Sequence, residues 1–154
     1  MRRRSALALL LAASALLSAC AGPGGARIFD TLEAAVPEDE ARVLLVFFAT
    51  DCASCYDDLF EARYLVERGG WPVTVVGVFS GLREDLRLFL EKYAWRLPAV
   101  LDRRKILFRR FKVDMIPYKV LLAGGRTVYL DDPYQEAGRR REELEKCLRR
   151  MFSR

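Results

Sequence analysis

Cys52 and Cys55 are the residues whose types and spacing could do chemistry. They stand in Cys52-Ala53-Ser54-Cys55, directly after an apolar run and at the start of an expected helix. A helix start offers unpaired N–H groups and a positive dipole end, and both favour a thiolate on the first cysteine. A spacing of i, i+3 on the first turn brings the second thiol within reach of a disulfide. In that arrangement the first sulfur attacks a disulfide in another molecule, and the second resolves the mixed disulfide. Two other readings share the motif. A zinc site would need two further ligands, with Cys147, Cys20 and carboxylates as the candidates. A purely structural disulfide would staple little chain, because closure entropy grows with loop length.

Composition narrows the field. The chain has 154 residues, 52% of them apolar and 31% charged, which suits one packed domain. It contains no histidine. That removes Ser-His and Cys-His hydrolase sites, His-ligated haem and every metal site that needs imidazole. The formal charge is +5, but without Arg2, Arg3 and Arg4 the balance is 23 basic against 21 acidic residues, or +2. Such a chain has no electrostatic reason to seek nucleic acid. The clusters Arg103-Arg104-Lys105, Arg109-Arg110 and Arg139 to Arg141 read as solvated faces.

The elements that must position the cysteines follow from periodicity. Val43 to Ala49 is continuously apolar and reads as a strand buried on both faces. Residues 53–68 read as a helix, ended by Gly69-Gly70. Val73 to Phe79 is a second buried strand. Ser80 can cap the next helix, whose apolar face is Leu82, Leu86, Phe89, Leu90 and Tyr93. Ala99 to Leu101 reads as a short strand and 103–111 as a short helix. Tyr118 to Ala123 and Arg126 to Leu130 flank Gly124-Gly125, a two-residue hairpin turn. A last helix over 135–152 carries Leu144, Cys147, Leu148 and Met151 on one face, with Cys147 an inert buried thiol. Strand–helix–strand units give parallel pairs, and the hairpin adds an antiparallel edge.

The first residues form a separate region. Met1 to Arg4 is positive, and Ser5 to Ala19 is an uncharged run of 15 residues. That is short for a membrane span, which needs ~20 apolar residues, and fits a secretory signal over 1–19. Leu17-Ser18-Ala19-Cys20 resembles the lipobox of bacterial lipoproteins, which implies lipidation of Cys20. Residues 20–27 then make a tether; its first seven, Cys20 to Ala26, reach at most ~25 Å. The expected place is outside the cytoplasm, facing the periplasm, close to a membrane. The compact domain is expected over 28–154.

Phe47-Phe48-Ala49-Thr50-Asp51-Cys52-Ala53-Ser54-Cys55 resembles the active-site segment of thioredoxin-fold proteins. It is especially similar to the TlpA/ResA-like extracytoplasmic thiol–disulfide oxidoreductases. Leu97-Pro98-Ala99-Val100-Leu101-Asp102 resembles that family's Pro-x-x-x-Asp passage, and Val113-Asp114-Met115-Ile116-Pro117 its cis-proline region. The resemblance implies an α/β thioredoxin-like fold, with a central mixed β-sheet and helices on both faces. It makes Cys52 the nucleophile and Cys55 the resolving thiol. It makes Pro117 cis, and lets the backbone of Ile116 pair with a substrate segment, with Ala53 and Ser54 on the contact surface.

Two departures from the family bear on acid–base chemistry. Asp51 stands where the family often has Trp; a carboxylate beside Cys52 disfavours its thiolate, and an acid also suits a helix start. Val46 stands where thioredoxins proper carry a buried acid. TlpA/ResA-like proteins often place an acid three residues after the second cysteine, here Asp58. Helical spacing puts 55 and 58 on one face, so Asp58 could assist deprotonation of Cys55.

The implied activity is reduction of disulfides in exported proteins, with apocytochrome c cysteines as one pathway. No cofactor is expected, and no Gly-x-Gly-x-x-Gly is present. The resemblance therefore implies a transmembrane electron donor of DsbD/CcdA type. The alternatives are a disulfide oxidase or isomerase, and a redox-inactive binding module or copper(I) chaperone using the two thiols.

Overall fold

The computed structural model describes residues 27–36 and 40–153. The chain runs β1 (Ile28–Phe29), α1 (Leu32–Ala35), β2 (Arg42–Phe48), α2 (Ala53–Gly69), β3 (Thr74–Phe79) and α3 (Arg83–Lys92). It continues with β4 (Ala99–Leu101), α4 (Ile106–Arg110), β5 (Tyr118–Ala123), β6 (Arg126–Leu130) and α5 (Ala137–Phe152). The strands form one sheet in the order β1-β4-β3-β2-β5-β6. The pairs β1/β4, β4/β3 and β3/β2 are parallel, while β5 is antiparallel to both β2 and β6. The expected mixed sheet with helices on both faces is thus what forms.

The continuous apolar run in β2 serves two cores. Leu44, Val46 and Phe48 point to one face, where they meet Leu59 of α2, Leu86 and Leu90 of α3, and Leu144 and Leu148 of α5. Val43, Leu45 and Phe47 point to the other, with Ala35 of α1 and Leu107 of α4. A central strand covered on both faces must be apolar throughout, which is why it shows no alternation. Turn chemistry also holds: Gly124 and Gly125 have φ of 55° and 74°, as a hairpin with two left-handed positions requires.

Several boundaries differ from expectation. Ser80 does not cap α3: Leu82 occupies the cap with no side-chain bond, and it is 69% exposed rather than on the apolar face. The helix expected over 103–111 shortens to α4 because the buried Asp102 carboxylate receives the amides of Ile106, Leu107 and Phe108 at 2.7, 2.8 and 3.1 Å. Those bonds fix where the helix starts. The last helix begins at Ala137, two residues late. Cys147 is half-buried rather than buried, with its thiol directed at the Val128 carbonyl of β6 (3.6 Å). Burial pushes that thiol up from its ordinary value, against a smaller opposing effect of Arg150. The short β1 and α1 have no counterpart in the sequence reading. The expected signal peptide, the lipidated Cys20 and the tether through residue 26 lie outside the described residues.

Candidate active site

β2 delivers the chain to the cysteine pair. It ends at Phe48, and Cys52 becomes the N-cap of α2, in extended conformation. Its sulfur receives the Cys55 amide at 3.1 Å. A sulfur in that position sits against the orphan N–H groups of the first turn, where negative charge is favoured. Cys52 and Cys55 are disulfide-bonded, with Cα atoms 5.2 Å apart. Their burial is unequal: Cys52 is half-buried and Cys55 is 0% exposed. The more accessible sulfur is therefore the first. Ala53 and Ser54 are both exposed, and Ser54 Oγ lies 3.5 Å from Cys52 Sγ. Asp51 is exposed, and its side chain makes no hydrogen bond among the described residues.

The Ile116–Pro117 peptide bond is cis. Tyr118, the first residue of β5, is the register partner of Phe47 near the end of β2. Adjacent strands therefore present the Cys52 and Pro117 segments at one end of the sheet. Pro117 has no N–H to give. The N–H and C=O of Ile116 make no hydrogen bond within the fold among the described residues. A free backbone edge beside a disulfide suits an extended partner segment.

Behind the pair lies a cluster of buried charges. Asp58, one turn beyond Cys55, is 7% exposed. Lys119 Nζ of β5 donates to its Oδ2 at 2.5 Å, and Arg140 Nη2 of α5 approaches the same oxygen at 3.3 Å. No hydrogen bond falls on Asp58 Oδ1 among the described residues. Asp131, just after β6, is the other anion. Arg140 Nε donates to Asp131 Oδ1 at 3.0 Å and Nη2 to Oδ2, a forked pair. Tyr129 donates to Oδ1 at 3.0 Å, and Lys119 Nζ lies 3.3 Å from Oδ2. Arg140 Nη2 also donates to the Pro117 carbonyl at 2.8 Å. Burial raises the Asp131 carboxyl, but the Arg140 bonds and the Lys119 and Arg140 charges outweigh it and hold it below the usual range. Burial and the Asp131 charge push the Tyr129 hydroxyl well above its ordinary value.

Lys119, Asp131 and Arg140 are the residues that sequence reasoning missed. Arg140 was expected on a solvated face with Arg139 and Arg141; those two are exposed and Arg140 is buried. Its spacing from Leu144 and Leu148, at i, i+4 and i+8, was the available signal. For Lys119 the signal was one charge inside an apolar strand. Tyr56 packs at the rim, its ring 4.3 Å from Tyr93 and 4.5 Å from Phe60.

No protein-family profile matches the chain, and no curated protein sequence matches it. Solved structures do. A thioredoxin-like protein of Porphyromonas gingivalis matches with a TM-score of 0.62 at 21% identity, over 77% of this chain and 80% of that one. A secreted disulfide oxidoreductase of Mycobacterium tuberculosis matches with a TM-score of 0.55 at 19% identity, over 71% and 81%. The exposed lipoprotein thioredoxin Etrx1 of Streptococcus pneumoniae matches with a TM-score of 0.59 at 17% identity, over 72% and 85%.

The fold is thioredoxin-like. Its neighbours include thiol–disulfide oxidoreductases, and this chain carries a disulfide-bonded cysteine pair, Cys52 and Cys55. Among the described residues, no helix is long and apolar enough to cross a membrane.

Proposed function

We propose that the protein is a thiol–disulfide oxidoreductase that reduces disulfides in exported proteins through Cys52 and Cys55. The observation that carries this reading is the Cys52–Cys55 disulfide at the start of α2, half-exposed at Cys52 only, near an Ile116 backbone that has no partner among the described residues. The oxidised pair is the end state of the reaction. It starts from the dithiol. The Cys52 thiolate attacks one sulfur of the substrate disulfide, and the other sulfur leaves as a thiolate. Cys55 then loses its proton, Asp58 Oδ1 being the carboxylate oxygen without a partner among the described residues. The Cys55 sulfur attacks Cys52 Sγ and releases the second substrate sulfur. Two electrons pass from the protein to the substrate. A second dithiol must restore the pair, and a transmembrane carrier of DsbD/CcdA type fits a site outside the cytoplasm.

The lipobox-like segment before Cys20 supports a membrane-tethered form, facing the periplasm. Apocytochrome c cysteines are one substrate of the expected chemical class.

The test is disulfide exchange by the full chain in detergent, with a titration of the Cys52–Cys55 couple. Reduction of a peptide disulfide should vanish in Cys52→Ser, and Cys55→Ser should trap a mixed disulfide on Cys52. A midpoint near or below about −270 mV supports a reductant, and one toward about −120 mV makes the protein an oxidant. Full activity of Cys52→Ser would retire the reading.

A further inference from the structure

Arg140 belongs to α5, the last helix, yet its guanidinium ends among groups from four other segments. Nη2 donates to the Pro117 carbonyl at 2.8 Å and approaches Asp58 of α2 at 3.3 Å. Nε and Nη2 together grip Asp131, which follows β6. Lys119 of β5 completes the cluster through Asp58 and Asp131. Tyr129 holds the far side of Asp131. The formal charges of Asp58, Asp131, Lys119 and Arg140 cancel.

The carbonyl matters most. Pro117 contributes no N–H, so its C=O is the one backbone hydrogen-bonding group by which that residue can be held. Arg140 turns that group inward. The neighbouring Ile116 keeps its N–H and C=O without partners among the described residues. A fork that grips Asp131 has little rotational freedom left, so the donor aimed at Pro117 is preorganised. A lysine there would carry the charge but not the fork.

We propose that Arg140 is a positioning residue: it fixes the Pro117 peptide, and with it the orientation of the Ile116 backbone that receives an extended, disulfide-bearing substrate segment. This rests on the oxidoreductase reading above and adds that recognition of the segment is set from α5. A small disulfide, with no backbone to pair, depends less on Arg140 than a peptide does.

The test compares the KM and kcat of the full chain with two probes, a peptide disulfide and bis(2-hydroxyethyl) disulfide, with glutathione in excess to restore the dithiol. Arg140→Lys keeps the charge. Arg140→Met combined with Asp131→Leu replaces the pair by apolar groups, which a buried ion pair often tolerates without unfolding. Circular dichroism establishes which variants are folded. The expected result is a peptide KM raised about tenfold in both folded variants, with a smaller change in kcat and a smaller loss with bis(2-hydroxyethyl) disulfide. Arg140→Lys should not restore the peptide KM. A peptide KM within twofold of the parent in a folded variant overturns the proposal, as does equal loss with both probes. Lack of Cys52-dependent turnover in the parent chain itself would instead sink the oxidoreductase reading.

Discussion

Cys55 has no access to water, so in the proposed reaction the proton it loses needs a neighbour to take it. Asp58 follows it by one turn, with Lys119 and Arg140 both on Oδ2 and none of these bonds on Oδ1. Replacing Asp58 by Asn keeps the shape and removes the basic oxygen. We expect resolution of the mixed disulfide to slow by about 10²-fold, the usual size of a lost general base. Quenching the reaction and weighing the trapped Cys52 adduct would measure this. An unchanged rate would leave Asp58 as a counter-charge for Lys119 alone. The motif Cys-x-x-Cys and the acid three residues later were legible in the sequence, because both lie on one helix turn. The cations that hold the acid were not, because Lys119 and Arg140 are 61 and 82 residues away.

Among the elements, α5 and the β5–β6 hairpin carry a burden their sequences conceal. Arg126–Leu130 is mostly exposed, so β6 stabilises little by burial, and what ties it to α5 includes the Asp131–Arg140 fork. The Asp131 carboxyl lies below its ordinary value of 3.8 in the folded chain. A group with a lowered folded pKa contributes stability above its unfolded pKa and loses it as pH falls through the folded one. Asp131→Asn should therefore cost about 3–5 kcal/mol at neutral pH, the usual size for breaking a buried pair. The gap between parent and variant should hold constant down to pH about 4 and narrow below it. Urea unfolding across pH 2.5 to 7 would check it, and a gap independent of pH would show that the carboxylate charge is not what stabilises. The neighbouring boundary of α4 teaches a related lesson. Asp102 accepts three amides and moves the helix start past Arg103 to Ile106, an effect invisible to hydrophobic periodicity.

For the molecule as a whole, the folded domain and its place in the cell are separate questions. Lipidation of Cys20 would hold the domain at a membrane surface on a tether of ~25 Å. We expect the full chain in the membrane fraction and its Cys20→Ser variant in the soluble one, read by fractionation of the expressing cells. A variant that stays with the membrane would point to an uncleaved anchor instead.

What the sequence determined by itself was local or periodic. The apolar run of β2, the cysteine pair on the first turn of α2, the Gly124-Gly125 turn and the order of strands and helices from β2 onward all follow from neighbours within a few residues. The cis bond at Pro117 came only with the family resemblance, since proline alone does not select it. Only the tertiary structure decided which charges are buried. Arg139, Arg140 and Arg141 are the same residue type, yet rotation about α5 puts the middle one inside and leaves its neighbours in water. A buried charge is tolerable only with a partner, and the partners of Arg140 come from three other segments that meet after folding.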